Sequence, residues 1–397
     1  MERKYSLKLL VALMVFSAAL TWLILSFFLG NPFGAQSGKA GPVRDFAELL
    51  AMIDEMFIGD YDEADVAAAA MRAAVDALDD EWSFYLTPDE YAFYLESSHN
   101  VYEGLGFIVA PDEDTDMLRI VSVYRDSAAE DAGLASGDLI VAIDGVHAGG
   151  YSIDDLREAL ARPIGDTVDL TIIRDGGAIL VITAVYSYVY IAPVTGEMLE
   201  GNIGYVVIAN FNDGAAENFI DTVDGLIAQG ARAFIYDVRS NPGGWVSEVT
   251  GILDYLLPEG DIFVAVDRRG YETVTRSDAG HIDIPAVVLV DRFSFSAAEY
   301  FAAMLMEYRY ARTVGEQTYG KSRMQTTLEL RGGGALNISF SEYLTKNRVS
   351  LHDAGGLTPD YLISLSDDEM DLFWAGDLEM DDDPQMQKAL EILGYLS

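Results

Sequence analysis

The chain has 397 residues, and half of them are hydrophobic, which is enough apolar material for one to three packed domains. Its formal net charge is −40, so it lacks the clustered lysine and arginine that binding to nucleic acid requires. It has no cysteine, which excludes a disulfide scaffold, a thiol nucleophile and a Cys-ligated metal. The four histidines do not stand at the spacing of metal ligands, so we expect neither a metal nor another cofactor.

The first element of the chain is an uncharged run, residues 9–30. At about 1.5 Å per residue it spans roughly 33 Å, the thickness of a hydrocarbon core. Arg3, Lys4 and Lys8 precede it, so the positive-inside rule leaves residues 1–8 as a cytoplasmic stub and exports the rest. A cleaved signal peptide is the alternative, but its apolar region is usually shorter. We therefore expect a single-pass anchor in the cell membrane and an extracytoplasmic folded part.

A linker rich in Gly, Pro and Ser, residues 31–44, leads into a helical region that we place at 45–101. Amphipathic periodicity predicts helices over 45–58 and 63–78. A further short helix is expected after the Thr87-Pro88 pair, with the threonine as N-cap and the proline in the first turn.

Strand-like runs dominate residues 102–188, where two short helices are predicted at 128–133 and 152–161. From 189 to 365 strands and helices alternate. This alternation predicts an α/β core with a mainly parallel sheet. The last segment, 366–397, is an acidic tail that ends in a helix.

Three segments of the α/β part carry candidate chemistry, and the first is LVDRFSFSAAEYF, residues 289–301. A buried strand runs into a polar corner, and Ser296 falls at the N-terminus of the next helix. One interpretation is that Ser296 only caps the helix. The other is an exposed hydroxyl at a strand-to-helix elbow, where the helix dipole stabilises the alkoxide.

The second segment is DVRSNPGGWV, residues 237–246. Pro242, Gly243 and Gly244 predict a tight turn between a strand and a helix. The main-chain N–H groups of such a turn can hold an anion, including the oxyanion of an acyl-transfer intermediate. An ordinary strand-to-helix connection is the alternative.

The third segment is TYGKSRMQTTLEL, residues 318–330, which contains Lys321 and Gln325. A nucleophilic serine needs a general base, and a desolvated lysine can supply one. Its pKa must fall from about 10.4 to about 7–8, which requires burial. Gln325 can orient the amine without adding a charge. A solvated surface lysine is the alternative.

Together these segments resemble the C-terminal processing peptidases, also called tail-specific proteases. The family pattern is D-x-R-x-N-P-G-G, then S-A-S-A-S-E, then G-K-x-x-x-Q, and it matches residues 237–244, 294–299 and 320–325. The elbow departs from this pattern at Phe295 and Ala298. The resemblance implies a nucleophile, a general base, an orienting residue, and an oxyanion hole built from main-chain N–H groups; these are, in order, Ser296, Lys321, Gln325, and Ala297 with Gly243 or Gly244.

The strand-rich segment resembles the PDZ module of the same family. Gly104-Leu105-Gly106-Phe107 resembles its carboxylate-binding loop, and residues 127–145 resemble its signature helix and strand. Loop N–H groups can bind a terminal carboxylate while the peptide adds a strand to the sheet edge. The Arg-Gly pair that the family often has before its P-x-G turn is displaced here, since Arg162 directly precedes Pro163.

The resemblance implies a crotonase-like α/β core with an inserted PDZ module, and a membrane-anchored serine endopeptidase with a Ser-Lys dyad. Its substrates would be proteins or peptides with free C-termini. Two other functions stay open: a non-catalytic PDZ scaffold that binds partner tails, and a Ser-His-Asp hydrolase on the same fold. The apolar helices at 45–78 and the closing helix either pair with a second copy, giving a homodimer, or pack on their own core.

Overall fold

The structure is a computed structural model that describes residues 40–112, 115–174 and 177–394. The predicted membrane anchor, 9–30, lies outside these residues. Across the described ranges, none of the helices combines the length and the apolar character needed to cross a bilayer.

The chain divides into two compact units, residues 1–69 and 70–397. Helix α1 (Ala40–Met56) lies in the first unit, and α2 (Glu63–Asp76) begins there. Helix α1 begins five residues before the predicted start, because a proline in the first helical turn is tolerated and does not block it. Its apolar side chains are largely exposed, as Val43 and Met56 illustrate.

In the second unit the end of α2 is followed by a short strand, β1 (Phe84–Leu86), and by helix α3 (Pro88–Ser98). Thr87 is the N-cap of α3: its hydroxyl accepts the N–H of Glu90, and its own N–H donates to the Glu90 carboxylate at 2.8 Å. This reciprocal pair satisfies two N–H groups that the helix leaves unpaired. The predicted cap at Thr87 is therefore confirmed.

A β-rich module follows. Its strands are β2 (Val101–Gly104), β3 (Phe107–Pro111), β4 (Leu118–Val123), β5 (Leu139–Ile143), β6 (Val146–His147), β7 (Thr167–Arg174), β8 (Ala178–Val185) and β9 (Ser187–Tyr190). Its helices are α4 (Ala128–Ala132) and α5 (Ile153–Ala159). The main sheet has the order β3-β4-β5-β7-β8, so β3 is an edge strand, while β2 and β9 pair as a separate ribbon. Its core includes the fully buried Ile120, Ile140 and Leu170.

The α/β core uses the remaining elements. The strands are β10 (Val194–Leu199), β11 (Ile203–Ile208), β12 (Ala233–Asp237), β13 (Gly260–Asp267), β14 (Glu272–Ser277), β15 (Ala286–Val290), β16 (Ala311–Gly315), β17 (Arg323–Glu329), β18 (Ala335–Leu344) and β19 (Tyr361–Leu362). The helices are α6 (Ala215–Gln229), α7 (Val246–Leu256), α8 (Ala297–Glu307), α9 (Leu351–Ala354), α10 (Asp367–Ala375) and α11 (Pro384–Ile392).

The central sheet of this core has the order β10-β11-β12-β15-β16-β19. Its strands run parallel from β11 to β19, and only β10 is antiparallel to its neighbour. Every residue of β12 and β15 is buried, as expected for a parallel sheet covered on both faces. The predicted, mainly parallel sheet is confirmed.

A second, antiparallel sheet was not predicted. It has the order β1-β18-β13-β14, with β17 also paired to β18. Phe84 lies opposite Asn337, so this sheet joins segments that are far apart in the chain. It brings residues 80–86 and β17 to the carboxyl end of the parallel sheet.

Candidate active site

Two loops meet at the carboxyl ends of neighbouring parallel strands. The turn that contains Gly243 and Gly244 follows β12, and the elbow that contains Ser296 follows β15, which pairs with β12. In open α/β sheets, ligand sites lie beyond this end of the strands. The fold therefore places two of the three sequence segments side by side.

Ser296 adopts an unusual backbone conformation, with φ 53° and ψ −115°, at the N-cap of α8. A non-glycine residue in this region is strained and needs support from its surroundings. The Ser296 N–H donates to the Glu299 carboxylate at 3.1 Å, and the Phe295 N–H donates to the Asn241 carbonyl at 2.9 Å. A strained elbow supported on both sides is the conformation of a strand-to-helix nucleophile.

The glycine turn lies directly against this elbow. Gly243 has φ 93°, and a Cβ on it would come 2.8 Å from Ser296 Cβ and 3.0 Å from the Ala297 nitrogen. Only glycine fits such an approach. The Gly243 N–H donates to Asn241 Oδ1 at 2.8 Å, whereas Gly244 is exposed and lines the same cavity as Ser296.

Phe211 fixes the turn from the other side. Its N–H donates to the Gly243 carbonyl at 2.8 Å, and its carbonyl accepts the Trp245 N–H at 2.6 Å. Gly244 has φ 152°, and a side chain there would overlap the main chain of Phe211. The three candidate oxyanion residues are thus held together in a fixed arrangement.

Lys321 is half-buried, and its Nζ lies 4.1 Å from the ring centroid of Trp82. Burial lowers the pKa of Lys321 to about 8, against the carboxylates of Glu299, Asp80 and Glu81, which favour the charged amine. A lysine with this pKa holds a useful fraction of neutral amine near neutral pH.

Glu299 joins the serine elbow to the lysine loop, and its side chain is fully buried. Besides the Ser296 N–H, its carboxylate accepts the N–H of Lys321 at 2.5 Å and that of Gly320 at 2.8 Å. It also accepts the Thr318 hydroxyl at 2.7 Å. Burial raises the pKa of Glu299, and these four donors oppose that shift. No role for Glu299 was predicted from the sequence, where the signal is an acidic residue at the start of the apolar helix α8.

Tyr343, on β18, also bridges the two predicted catalytic residues, and the sequence analysis did not single it out. Its hydroxyl donates to the Lys321 carbonyl, and its oxygen lies 3.4 Å from Ser296 Oγ. Burial raises the pKa of Tyr343, so the phenol stays protonated at neutral pH. The phenol therefore links the serine hydroxyl to the main chain of the lysine loop.

One cavity of about 520 Å³ contains the predicted catalytic side chains. Ser296, Lys321 and Gln325 all line it, and none of the described residues that line it is a histidine. The amide nitrogen of Gln325 donates to the Arg323 carbonyl at 2.9 Å and to Ser339 Oγ at 3.1 Å. The structure thus brings the three residues to one cavity, and the Gln325 amide nitrogen bonds to Arg323 and Ser339, not to Lys321.

The β-rich module has its own groove of about 560 Å³ between β3 and α5. All four residues of the predicted carboxylate loop line it: Gly104, Leu105, Gly106 and Phe107. Ile153, Leu156 and Leu160 supply an apolar wall. A groove beside an edge strand with an apolar wall is suited to an extended peptide.

Arg162 also lines this groove. Its guanidinium forms an ion pair with Asp144 and donates to the Thr167 carbonyl at 2.8 Å. These contacts tie Arg162 to its own module. In the part of the chain that the structure describes, no group of three or more acidic or histidine side chains could hold a metal ion.

Comparison with known proteins gives matches over most of the described chain. Residues 202–363 match the family model for peptidase family S41, and residues 119–174 match a model for a PDZ domain. A carboxyl-terminal-processing protease of Synechocystis is 29% identical over 330 residues, which is 82% of this chain and 76% of the relative. The carboxy-terminal processing protease CtpA of Bacillus subtilis is 27% identical over 359 residues, 89% of this chain and 76% of the relative.

A solved structure from Bacteroides fragilis, assigned to the S41 proteases, has the same fold. It matches with a TM-score of 0.57 and 18% sequence identity, over 86% of this chain and 93% of the other. At this identity the likeness concerns the fold alone.

Proposed function

Since the chain belongs to peptidase family S41 and is a serine-type peptidase, we propose that Ser296 is its nucleophile and Lys321 its general base. The observation that carries this proposal is that both side chains line one cavity, where Ser296 occupies a strained elbow and burial lowers the pKa of Lys321 to about 8. Neither feature is required of a serine that only caps a helix.

The proposed reaction proceeds through an acyl-enzyme. Lys321 takes the proton of Ser296 as Oγ attacks the scissile carbonyl, and the lysine then gives that proton to the leaving amine. A water molecule that the neutral Lys321 deprotonates hydrolyses the ester and restores the free serine. The N–H groups of Ala297 and Gly244 stabilise the oxyanion. We choose Gly244 because the Gly243 N–H already donates to Asn241.

Gln325 is proposed as the residue that orients the lysine amine. It lines the cavity with Lys321, and a rotation of its side chain would exchange the contact with Ser339 for one with the amine. This role stays a prediction. The absence of histidine among the described residues that line the cavity favours the lysine over a Ser-His-Asp triad.

We propose that the PDZ groove recognises the C-terminal end of a protein substrate. The loop 104–107 would bind the terminal carboxylate, and the apolar wall with Ile153 would accept apolar side chains. The related proteases are named for carboxyl-terminal processing, which agrees with this substrate class. A non-catalytic binding scaffold would need the same groove, but it would not need Ser296 and Lys321 to line one cavity.

The proposal also includes a membrane anchor, a crotonase-like core and a homodimer. The uncharged run 9–30 and the basic residues before it support a membrane anchor with the peptidase outside the cytoplasm. The parallel sheet with α6, α7 and α8 supports a crotonase-like core. A homodimer through the helices of 45–78 and the closing helix also stays a prediction.

A covalent probe tests the nucleophile directly. Purified full-length protein is treated with a fluorophosphonate, and the adduct is located by peptide mass spectrometry. We expect the adduct on Ser296 and a large loss of labelling in Lys321→Ala. Lys346→Ala is the matched control, because Lys346 also lies over an aromatic ring, that of Tyr308, at 3.8 Å. An adduct on another residue, or equal labelling in Lys321→Ala, would contradict the proposal.

A further inference from the structure

Three aromatic rings form a continuous cover beside the general base. The Trp82 ring contacts the Tyr319 ring edge-to-face at 5.5 Å, and the Tyr319 ring packs on Phe295 at 4.5 Å. Trp82 faces the amine of Lys321, and Phe295 directly precedes Ser296. We call Trp82, Tyr319 and Phe295 the aromatic cover.

Hydrogen bonds to β18 hold the main chain at Trp82 in place. The Trp82 carbonyl accepts the side-chain amide of Asn337 at 3.0 Å, and Asn337 is itself buried. The Ser83 hydroxyl accepts the Ser339 N–H at 3.0 Å. The antiparallel sheet therefore fixes the main chain that carries the indole.

Two polar contacts attach the same segment to the lysine loop and β17. Asp80 pairs with Arg323 at 2.6 Å, and the Tyr319 hydroxyl donates to the Glu81 carboxylate at 3.0 Å. Asp80 also accepts the hydroxyl of Ser83 at 2.5 Å. Segment 80–83 therefore contacts residues that precede and follow Lys321 in the sequence.

Trp82 lies at the boundary between two cavities. It lines an acidic pocket of about 610 Å³, whereas Lys321 lines the active-site cavity. The charged and titratable residues of that pocket are Asp76, Asp79, Asp80, Glu81, Arg323 and His352. Because the Trp82 ring also lies 4.1 Å from Lys321 Nζ, we infer that the indole separates the amine from these carboxylates.

We propose that Trp82 is a positioning residue that seals the active-site cavity against the acidic pocket and keeps the Lys321 amine out of water. The inference rests on the proposed role of Lys321 as general base. The Tyr319 ring packs against the indole, and the Phe295 ring packs against Tyr319. The two rings thereby connect Trp82 to the serine elbow.

The charges around Lys321 predict the direction in which its pKa shifts when Trp82 is replaced. Burial is the largest influence on the pKa of Lys321 and lowers it, while Asp80 and Glu81 raise it. Without the indole, water and these carboxylates would reach the amine, and both changes would raise the pKa. The ring face attracts the ammonium form, so this single contribution acts in the opposite direction. We expect the loss of burial to outweigh the loss of this attraction, and the comparison of two Trp82 variants below tests that expectation.

The other groups around Lys321 are held by contacts that do not involve the Trp82 side chain. Glu299 accepts the Lys321 N–H from α8, and the Tyr343 hydroxyl donates to the Lys321 carbonyl from β18. His352 Nδ1 lies 3.3 Å from the Gly320 carbonyl, and Arg323 is paired with Asp80. A shift caused by Trp82 is therefore separable from theirs.

Two substitutions of Trp82 distinguish the exclusion of water from the Lys321 amine from the attraction between the aromatic ring and the ammonium group. Trp82→Ala opens the seal, whereas Trp82→Leu keeps an apolar side chain and removes the ring. We measure kcat/KM for cleavage of an unfolded test protein from about pH 6 to 10 with full-length enzyme. Trp82→Ala is expected to move the acidic limb upward by about one unit, so that activity near pH 7 falls about tenfold and recovers above pH 9. Trp82→Leu is expected to leave the limb at or below its wild-type position.

The controls make each outcome decisive. Trp374→Ala, at an exposed tryptophan of α10, should leave the profile unchanged. An unmoved limb in Trp82→Ala, or an equal loss of activity at every pH, overturns the inference. If Trp82→Ala does not fold, Tyr319→Ala takes its place and should shift the limb in the same direction by less, and an unmoved limb there overturns the inference too. Full activity in Lys321→Ala would instead overturn the proposed function itself.

Discussion

The Glu299 carboxylate accepts the main-chain N–H of Lys321 at 2.5 Å and that of Ser296 at 3.1 Å. One buried side chain on α8 therefore sets the position of the serine elbow and of the lysine loop together. We expect a displacement of this carboxylate to move both residues relative to each other, and the proposed proton transfer between them depends on that separation.

Glu299→Gln should impair activity and stability together. The glutamine carries an N–H₂ group where the carboxylate accepts hydrogen bonds, so buried donors such as the Gly320 N–H lose their acceptor. Each unsatisfied buried donor costs about 1–3 kcal/mol. We expect unfolding free energy to fall by about 2–4 kcal/mol and kcat/KM to fall by at least tenfold.

Glu307→Gln is the matched control for this change. Glu307 ends the same helix, and its carboxylate accepts the Thr345 hydroxyl at 2.6 Å and the Asn347 N–H at 2.9 Å, outside the cavity. It should lose stability and keep kcat/KM under conditions where it is folded. Equal activity in the two variants would show that Glu299 does not position the catalytic residues.

The rate of cleavage should rise with pH. Only the neutral amine of Lys321 accepts a proton, and burial lowers its pKa to about 8. The active fraction is then about one tenth at pH 7 and most of the enzyme above pH 9. The measurement is kcat/KM across this range. A limb centred near pH 6.5 that disappears on removal of a histidine would favour the Ser-His-Asp alternative.

Cleavage should depend on the C-terminus of the substrate. A free, apolar C-terminal residue fits the loop and the apolar wall of the PDZ groove, so such a substrate should be cut faster than its amidated form. A substrate ending in Asp-Asp should also be slow, because one wall of the groove is apolar and the chain carries a net charge of −40.

Two exposed isoleucines of the same module provide the variants. Ile153 lines the groove, and Ile179 lies on β8 outside it. Ile153→Asp should remove the preference for the free apolar end, and Ile179→Asp should keep it. Equal rates for all three substrate ends in the wild type would show that the module acts only as a spacer.

Arg239 should be structural, although it belongs to a sequence segment that carries the candidate site. Its buried guanidinium pairs with Asp237 at 2.6 Å and with Asp383 at 2.7 Å, which ties the end of β12 to α11. Arg239→Ala leaves two buried carboxylates without a cation, a change that costs about 3–5 kcal/mol. The measurement is the free energy of unfolding in urea.

Arg312→Ala is the control, since Arg312 forms an exposed pair with Asp360 at 3.2 Å. Exposed pairs contribute about 0–1 kcal/mol, so this variant should unfold near the wild-type denaturant concentration. A small effect in both variants would mean that the Asp237–Arg239–Asp383 contacts do not hold the C-terminal helix.

The parallel sheet could be predicted because its signals are local. Strands such as β15 are continuous apolar runs, and the intervening helices have one apolar face. The antiparallel sheet has no comparable signal. Most residues of β14 are exposed. Strand β1 pairs with β18, although most of the described chain separates the two strands in sequence. Such pairing follows from tertiary packing and leaves little trace in the local pattern.

The same distinction applies to the site. Ser296 and Lys321 stand in motifs with fixed spacing, and the structure brings them to one cavity. Tyr343 and Trp82 lie far from both in the sequence, and only the antiparallel sheet brings them close. Glu299 follows Ser296 by three positions, as in a helix capping box, so its contacts with the lysine loop do not follow from the sequence pattern.

The most direct test of the Ser-Lys mechanism is proteolysis of an unfolded, tagged test protein by the full-length enzyme. The variants are Ser296→Ala and Lys321→Ala, with the exposed Ser247→Ala and Lys346→Ala as controls, all compared at matched thermal stability. Because the proposed nucleophile and base would act as a unit, we predict that cleavage falls to background in both site variants and persists in both controls. Cleavage near the wild-type rate in either site variant would contradict the mechanism.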